Sequence, residues 1–365
     1  MRHVVSSQNS TAPPSSSSPP ASSAAAQKRR RGQRTGLLAL LLLYGTALVA
    51  IGIADARGPE RWIVSSFNLY LPQWLWALPG LILVGVSLRI AQRWTWFPLL
   101  CVIWVATTLM GFCWHIGPAA GAGGGKSRLR VMTYNIKYGQ RDVAAFLKEI
   151  ADTQPDLLLL QDVGDTMDGP LRLLLHGRNV RAFGQYVIAS HLPLSEPQIR
   201  WISLLGEAQH TCLRCQLTVG RSRITVYDVH LLTPRAGLNA VKFQNGESLS
   251  VLEQNVAARL QQARLLAQAL QQEQGALIVA GDFNAPDISL VCRTLRLTGL
   301  RDAFAEAGEG YGYTYGHMLR LRHSYMRLDH ILVSPEWQVQ GCWAGSAEGS
   351  DHRPVIADLV LLPGN

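Results

Sequence analysis

Charged residues are scarce in this chain. Asp, Glu, Lys and Arg make up only 16% of its 365 residues, against about 25% in an ordinary soluble domain. The mean hydropathy is +0.09, which excludes a chain that is disordered throughout and argues against a wholly soluble one. Cysteine is also sparse, at six residues. The pair Cys212 and Cys215 lacks evident zinc-binding partners, so we favour unpaired structural cysteines.

Acidic residues are the scarcer of the two charge types. The chain has 25 Asp and Glu against 34 Lys and Arg, a formal net charge of +9. Residues 1–125 hold ten basic and two acidic residues, whereas residues 126–365 hold twenty-four and twenty-three. The rear section is therefore nearly neutral, which excludes a strong overall attraction to nucleic acid. The excess in the front section is better explained as a signal for membrane topology.

The N-terminal residues are polar and basic. Residues 5–27 are mostly Ser, Ala and Pro, and a basic cluster lies between Lys28 and Arg34. We predict a disordered basic tail over residues 1–34. Because basic clusters stay on the cytoplasmic side of a membrane helix, we expect a cytoplasmic N-terminus.

Three runs without charge follow, at Thr35–Ala54, Trp62–Leu88 and Trp94–Trp114. A helix of about 20 residues crosses a hydrocarbon core of about 30 Å. We therefore predict three transmembrane helices within residues 35–116, which would leave the rear section outside the cytoplasm. The alternative is a signal peptide cleaved near Ala54, and it also leaves the rear section outside.

A Gly/Ala linker over residues 117–126 separates the two sections. A flexible linker of this length spans only about 15–20 Å on average, so the rear section should stay near the membrane. Residues 127–365 alternate between strand-like apolar runs and helical spacing, which predicts one α/β domain. The segment 232–246 could line a cleft, but we favour a plain surface loop there.

Polar side chains lie at or just past the ends of several predicted strands. These residues are Asn135, Asp162, His230, Asp282, Asn284, Asp329, Asp351 and His352. Any one of them alone is more often a turn former than a ligand. Together they place carboxylate and amide oxygens that suit Mg²⁺, with imidazoles that could bind a phosphate, on a rigid scaffold.

Two motifs, Gly281–Asn284 (Gly-Asp-Phe-Asn) and Ser350–Val355 (Ser-Asp-His-Arg-Pro-Val), resemble those of the endonuclease/exonuclease/phosphatase superfamily. That superfamily includes pancreatic-type deoxyribonucleases, abasic-site endonucleases, neutral sphingomyelinases and inositol polyphosphate 5-phosphatases. The resemblance covers about residues 127–362. It implies a four-layer αββα sandwich and hydrolysis of a phosphate ester with Mg²⁺ or Mn²⁺.

The resemblance also implies the metal ligands. Asp162 and Asp351 would hold the cation, with Asn135 beside it. The family usually has Glu at the position of Asp162, so this carboxylate is one methylene shorter. At His330 the family often has Tyr, and we expect a structural role there.

The catalytic residues implied by the resemblance are five. Asp282, helped by Asn284, would activate or orient the attacking water. His352 would contact the scissile phosphate and would be oriented by Asp329. His230 would donate a hydrogen bond to a phosphate oxygen.

Two positions remain open from the sequence. The basic stretch that contains Arg320, Arg322 and Arg327 could be a phosphate-binding rim or a solvated loop. Asp228 could bond within the site or face solvent.

The sequence therefore predicts a membrane-anchored, metal-dependent phosphoesterase whose active site lies outside the cytoplasm. Its partners would be the bilayer and a phosphate ester, either nucleic acid or a phospholipid headgroup, and no protein partner is predicted. The neutral rear section weakens the nucleic-acid choice, and the short tether favours lipid. The alternative is a weakly active or inactive family member that acts as a membrane scaffold, which only Asp162 suggests.

Overall fold

The computed structural model describes residues 21–115, 128–203, 211–242, 248–317 and 322–363. The α-helices are α1 Ala21–Arg57, α2 Ile63–Asn68, α3 Ala77–Ile90, α4 Trp96–Trp104, α5 Val143–Thr153, α6 Pro170–Leu174, α7 Arg235–Lys242, α8 Ser248–Leu270, α9 Leu290–Arg296 and α10 Ala303–Ala307. The strands are β1 Arg128–Asn135, β2 Leu157–Gln161, β3 Asn179–Phe183, β4 Tyr186–Ser190, β5 Gln198–Trp201, β6 Thr211–Val219, β7 Ser222–His230, β8 Leu277–Asp282, β9 Arg301–Asp302, β10 Asp329–Val333, β11 Trp337–Ala344 and β12 Val355–Leu361. The predicted linker lies outside the described residues.

The first helix is longer than the sequence predicts. It begins at Ala21, so the predicted tail is helical from that residue, and residues 1–20 lie outside the described part. Ala, Gln, Lys and Arg dominate residues 24–34, and these residue types favour a helix. The apolar helix therefore extends backwards through the basic cluster.

The prediction of three transmembrane helices is wrong. Among the described residues, two helical segments are long and apolar enough to cross a membrane, Ala25–Arg57 and Gln73–Ile90. The third apolar run forms α4 and then a π-helical turn, Val105–Leu109. Fourteen residues at about 1.5 Å each reach only about 21 Å, which is short of a core of about 30 Å.

Two six-stranded sheets form the rear section. The first sheet has the order β11-β12-β1-β2-β4-β3, and the second has the order β5-β6-β7-β8-β10-β9. Their facing sides share one apolar core, which includes Val131, Leu159, Leu213 and Ile331. The predicted α/β sandwich is confirmed.

Helices cover the outer face of each sheet. Phe146 and Ile150 of α5 pack on the first sheet, in one cluster with residues of β1 and β2. Leu266 and Leu270 of α8 pack on the second sheet, in another cluster. Because both faces of each sheet are covered, the central strands are buried along their whole length, as in β2, where four leucines precede the buried Gln161.

The strand register brings the polar strand ends to one edge of the sandwich. In the first sheet, parallel β1 and β2 place Asn135 opposite Gln161 at their ends. In the second sheet, parallel β7 and β8 place His230 opposite Asp282. Strand β10 runs antiparallel to β8 and begins with Asp329 opposite Asp282.

Gly281 allows β7 and β8 to approach closely at this edge. Its φ is 147°, and a Cβ atom there would lie 1.8 Å from the main-chain oxygen of Val229. Any larger residue would push the strands apart just before Asp282. The glycine of the Gly-Asp-Phe-Asn motif is therefore required by packing.

Candidate active site

A pocket of about 500 Å³ opens at the edge where the strand ends meet. Six of the predicted site residues line it: Asn135, Asp162, His230, Asp282, Asn284 and His352. The other two predicted residues lie just outside its wall, Asp329 in contact with His352 and Asp351 in contact with Lys137. The tertiary structure thus gathers residues that span more than 200 positions of sequence.

Asp282 lies at the centre of the pocket floor and is only 1% exposed. Its Oδ2 accepts a hydrogen bond from Asn135 Nδ2 at 3.1 Å, and its Oδ1 accepts one from the main-chain N–H of Asn284 at 2.8 Å. The Nε2 atoms of His230 and His352 lie 3.5 and 3.6 Å from Oδ2. These contacts hold a buried carboxylate in one orientation.

His352 is held by Asp329. Its Nδ1 lies 2.9 Å from Asp329 Oδ2, and the ring of Tyr315 packs against it at 4.8 Å between centroids. Burial lowers the pKa of His352, but Asp329 and Asp282 outweigh it and raise the pKa to about 10. The two carboxylates therefore favour the protonated imidazole, whose Nε2 is directed towards Asp282.

His230 is oriented by a residue that sequence reasoning missed. Its Nδ1 donates to Gln185 Oε1 at 2.7 Å and lies 3.5 Å from Asp162 Oδ1. Gln185 lies in the turn between β3 and β4. The segment 184–193 resembles an internal strand of the family, but nothing in it marks Gln185 as a site residue. Only the pairing of β2 with β4 brings that turn beside Asp162.

The predicted metal ligands do not form one tight cluster. Asp351 is bound to Lys137, a residue that no motif in the sequence marks, with Nζ 2.6 Å from Oδ2. Burial raises the pKa of Asp351, but His352 and Lys137 outweigh it, and its pKa is below the usual value. Asp162 has a left-handed φ of 52°, which turns the chain away from β2 into the pocket wall.

The tightest acidic group in the described structure is formed by Asp282, Asp329 and His352. One ligand atom of each lies within 4.8 Å of the others, and Asp329 Oδ1 is buried without a hydrogen-bond partner. Together with Asp162 and the Asn135 amide, the pocket presents mainly oxygen donors. This donor chemistry fits a hard divalent cation such as Mg²⁺ or Mn²⁺.

The predicted arginine rim needs correction at Arg327. Its guanidinium is buried and bound to Asp302 at 2.8 Å and to Asp287 at 3.1 Å, so it does not reach the pocket. The reason is that it immediately precedes β10 and points into the core beside Phe304. Arg322 is exposed, and Arg320 lies outside the described residues.

His330 shares the same buried network. Its Nδ1 lies 3.1 Å from Asp302 Oδ2 and its Nε2 lies 2.9 Å from the main-chain oxygen of Ala285. Burial alone would lower the pKa of His330, but its contacts with Cys292 and Asp302 raise it to about 10. Through its contact with Ala285, His330 links β10 to the loop after β8, and it does not line the pocket.

Asp228 lies between the two sheets, where the sequence left its role open. It is fully buried, and its Oδ1 accepts a hydrogen bond from Gln161 Nε2 at 2.6 Å. Burial raises the pKa of Asp228 well above its usual value. It neither faces solvent nor lines the pocket.

Arg235 supplies a cation to the pocket wall. The segment we favoured as a plain loop instead contains α7, which begins at Arg235. The Arg235 guanidinium donates to the hydroxyl of Tyr315 at 3.1 Å, and the side chain lines the pocket.

Comparison with known proteins identifies the family. The sequence profile of the endonuclease/exonuclease/phosphatase family matches residues 132–352, which is more than half of the chain. The chain belongs to this family. The matched range contains every residue that lines the catalytic pocket, and the apolar helices lie outside it.

Solved structures of family proteins share the fold of the rear section. An endonuclease/exonuclease/phosphatase from Bacteroides vulgatus is 20% identical in sequence, with a TM-score of 0.52. The aligned part covers 65% of this chain and 100% of the Bacteroides vulgatus chain. A family protein from Bacteroides thetaiotaomicron is 16% identical with a TM-score of 0.51, over 65% of this chain and 98% of its own. None of the curated proteins matches the chain.

Proposed function

We propose that this protein is a divalent-metal-dependent phosphoesterase. The observation that carries the proposal is the buried Asp282 carboxylate between Asn135 and the His352–Asp329 pair, at the floor of an open pocket. A base, an oriented imidazolium and amide donors around one cavity are the groups that hydrolysis of a phosphate ester needs.

In the proposed reaction, Asp282 takes a proton from a water molecule, and the water oxygen attacks the phosphorus. The P–O bond to the leaving alcohol breaks, and the alcohol oxygen takes up a proton from solvent. His352 Nε2 donates to a non-bridging phosphate oxygen, and Asp329 fixes its ring. His230, in the form protonated at both ring nitrogens, donates from Nδ1 to Gln185 and from Nε2 to a second phosphate oxygen. Asn284 keeps Asp282 in place through its main-chain N–H.

Asp162 and Asp351, with Asn135 beside them, are the residues that would hold Mg²⁺ or Mn²⁺. The cation would offset the negative charge that develops on the phosphate oxygens. Lys137 lies 2.6 Å from the carboxylate of Asp351, so the metal cation would have to take the place of its ammonium group there.

We further propose that the protein is anchored in a membrane and acts on its extracytoplasmic side. The basic cluster Lys28–Arg34 lies at the start of α1, and the catalytic section binds the other end of that helix. There, the Arg293 guanidinium donates to the main-chain oxygen of Ala56 at 2.8 Å. If α1 crosses the membrane with its basic end in the cytoplasm, the catalytic section is outside.

The proposal is tested with the purified full-length protein and a generic soluble diester, bis(4-nitrophenyl) phosphate. Hydrolysis should need Mg²⁺ or Mn²⁺, stop with EDTA and fall sharply in Asp282→Asn. The second candidate function is that of an inactive membrane scaffold. It is favoured by Asp162, which is shorter than the glutamate usual in the family, and by Lys137, which forms an ion pair with the predicted metal ligand Asp351. Absence of turnover with every divalent cation, across DNA, RNA, phospholipid and inositol phosphate, would favour that candidate.

A further inference from the structure

A second cavity of about 490 Å³ adjoins the catalytic pocket. The two cavities share part of their lining, including Arg235, Asn284 and His352. The rest of the second cavity lies farther from the reaction centre. The residues that enclose it there have no part in the chemistry proposed above.

The outer wall of this second cavity comes from the apolar front section. We call residues 67–72, which follow the first apolar helix, the covering segment. Its side chains Phe67, Tyr70, Leu71 and Pro72 face Leu238 and Met326 of the catalytic section across the cavity. The far end of the cavity is therefore apolar on both sides.

The covering segment is fixed to the catalytic section by specific contacts. The hydroxyl of Tyr70 donates to the main-chain oxygen of Asn284 at 3.4 Å, and Arg259 Nη2 donates to the same oxygen at 2.8 Å. The Arg259 guanidinium also lies over the Tyr70 ring, 5.5 Å from its centroid. Nearby, the buried Glu60 accepts two contacts from the main-chain N–H of Leu290, at 2.9 and 3.1 Å.

The position of the covering segment indicates what fills the cavity. It lies between two helices that are long and apolar enough to cross a membrane, Ala25–Arg57 and Gln73–Ile90, so it lies at the membrane surface when they are inserted. A molecule in that membrane would present its phosphate at the surface and its alkyl chain alongside. The lining has the matching chemistry. His352 and Arg235 lie in the part shared with the catalytic pocket, whereas the part that belongs to the second cavity alone is apolar or aromatic except for Asn239.

A nucleic acid fits this lining less well. A nucleic-acid strand is bound by a row of cations that follow its phosphates. Among the described residues, this lining has two cationic groups, Arg235 and the protonated His352, and both belong to the part shared with the catalytic pocket, so no row of cations continues along the second cavity. The aromatic rings could stack on a base, but Leu71, Leu238 and Met326 offer no partner for the polar edges of one.

We propose that the covering segment, with Leu238 and Met326, forms an apolar subsite for the alkyl chain of a membrane lipid whose phosphate ester enters the catalytic pocket. The inference rests on the phosphoesterase function proposed above. According to this proposal, the front section forms part of the substrate site. The protein then selects phosphate esters that carry a long alkyl chain, on either the alcohol that leaves or the part that keeps the phosphate.

The test is a binding measurement that does not depend on turnover. The full-length protein in lipid nanodiscs is titrated by calorimetry with ethylphosphonate, octylphosphonate and octathymidylate, and heats from empty nanodiscs are subtracted. Phosphonates keep the charged head but contain a P–C bond that a phosphoesterase does not break. Each buried methylene adds to affinity, so octylphosphonate should bind at least about tenfold more tightly than ethylphosphonate.

Two polar variants on opposite walls test the location. In Phe67→Asn and in Leu238→Asn, the preference for octylphosphonate should fall to less than about threefold, while ethylphosphonate still binds. Val64→Asn is the matched control, because Val64 lies in the same helix as Phe67, α2, is 82% exposed and is not part of the cavity lining. That variant should keep the preference of the wild-type protein.

Equal affinity of the wild-type protein for the two phosphonates would overturn the subsite, and so would a preference that survives in both wall variants. Tighter binding of octathymidylate than of octylphosphonate would assign the cavity to a nucleic acid instead. If the protein is not a phosphoesterase, the soluble diester will not be hydrolysed. The binding experiment can still be interpreted in that case, because it does not depend on turnover.

Discussion

The imidazole of His352 and the carboxylate of Asp329 are 2.9 Å apart, although they come from different sheets of the sandwich. Asp329 begins β10 of the second sheet, and His352 precedes β12 of the first. The pair therefore bridges the two sheets at the edge where the pocket opens, and its geometry depends on how the sheets pack together.

We predict that Asp329→Ala damages catalysis nearly as much as His352→Ala, because an imidazole without its carboxylate partner loses its orientation and its charge. The double variant should be little worse than either single one. The turnover of a soluble diester by all four proteins gives the coupling, after their folding has been checked by thermal unfolding. Independent losses that multiply in the double variant would contradict a coupled pair.

Asp282→Asn should lower turnover by about two orders of magnitude or more, as expected when a general base is lost. The amide keeps the shape of the carboxylate and can still meet the N–H of Asn284, so KM should change far less than kcat. Asp168→Asn removes an exposed carboxylate outside the pocket and serves as the control. Turnover within roughly threefold of the wild-type value would show that Asp282 does not act as the base.

Asp162→Ala should raise the concentration of divalent cation needed for half-maximal activity. Mn²⁺ should support the native enzyme better than Mg²⁺ at low concentration, because Mg²⁺ demands nearly ideal octahedral contacts at about 2.0–2.1 Å. Asp162→Glu, which restores the family residue, should lower the requirement or leave it unchanged. A metal titration checks this, with the exposed Asp165→Ala as the control. If Asp162→Ala needs no more cation than the wild-type protein, Asp162 is not a ligand.

Gly281→Ala should destabilise the catalytic section severely. The alanine would be strained at a φ of 147° and its Cβ would overlap the Val229 oxygen, which together cost about 2–6 kcal/mol. Gly275→Ala, also at positive φ but with no atom within 4 Å, should cost about 1–3 kcal/mol from strain alone. Thermal unfolding of the two variants compares them, and equal losses of stability would rule out the close approach of β7 and β8.

A reporter enzyme that is active only outside the cytoplasm should be active when it is fused after Asn365. The same reporter fused before Met1 should be inactive, because the basic cluster keeps that end of α1 in the cytoplasm. Activity of a cytoplasm-only reporter at the Asn365 junction would contradict the proposed side of the membrane. The experiment is independent of catalysis and therefore tests location alone.

The sequence determined the fold class and pointed to six of the residues that line the pocket. The apolar strands that end in His230 and Asp282 are an example, because parallel neighbours bring their carboxyl ends to the same edge of a sheet. The order of the motifs then identified the family. These inferences succeed because they use local patterns, namely strand periodicity and short motifs, that persist whatever the rest of the chain does.

Only the tertiary structure decided the contacts between distant segments. The bond of Lys137 to Asp351, the burial of Arg327 against Asp302 and the position of Gln185 beside His230 each depend on the packing of segments far apart in sequence. The third apolar helix is short because the chain ends its α-helix there, and the uncharged composition of the run does not reveal where that happens.

The covering segment is part of an uncharged apolar run in the sequence. Its place beside His352 follows from the long-range contacts of Tyr70 and Glu60. Such contacts are fixed by the packing of whole elements, so no local pattern of residues could have predicted them.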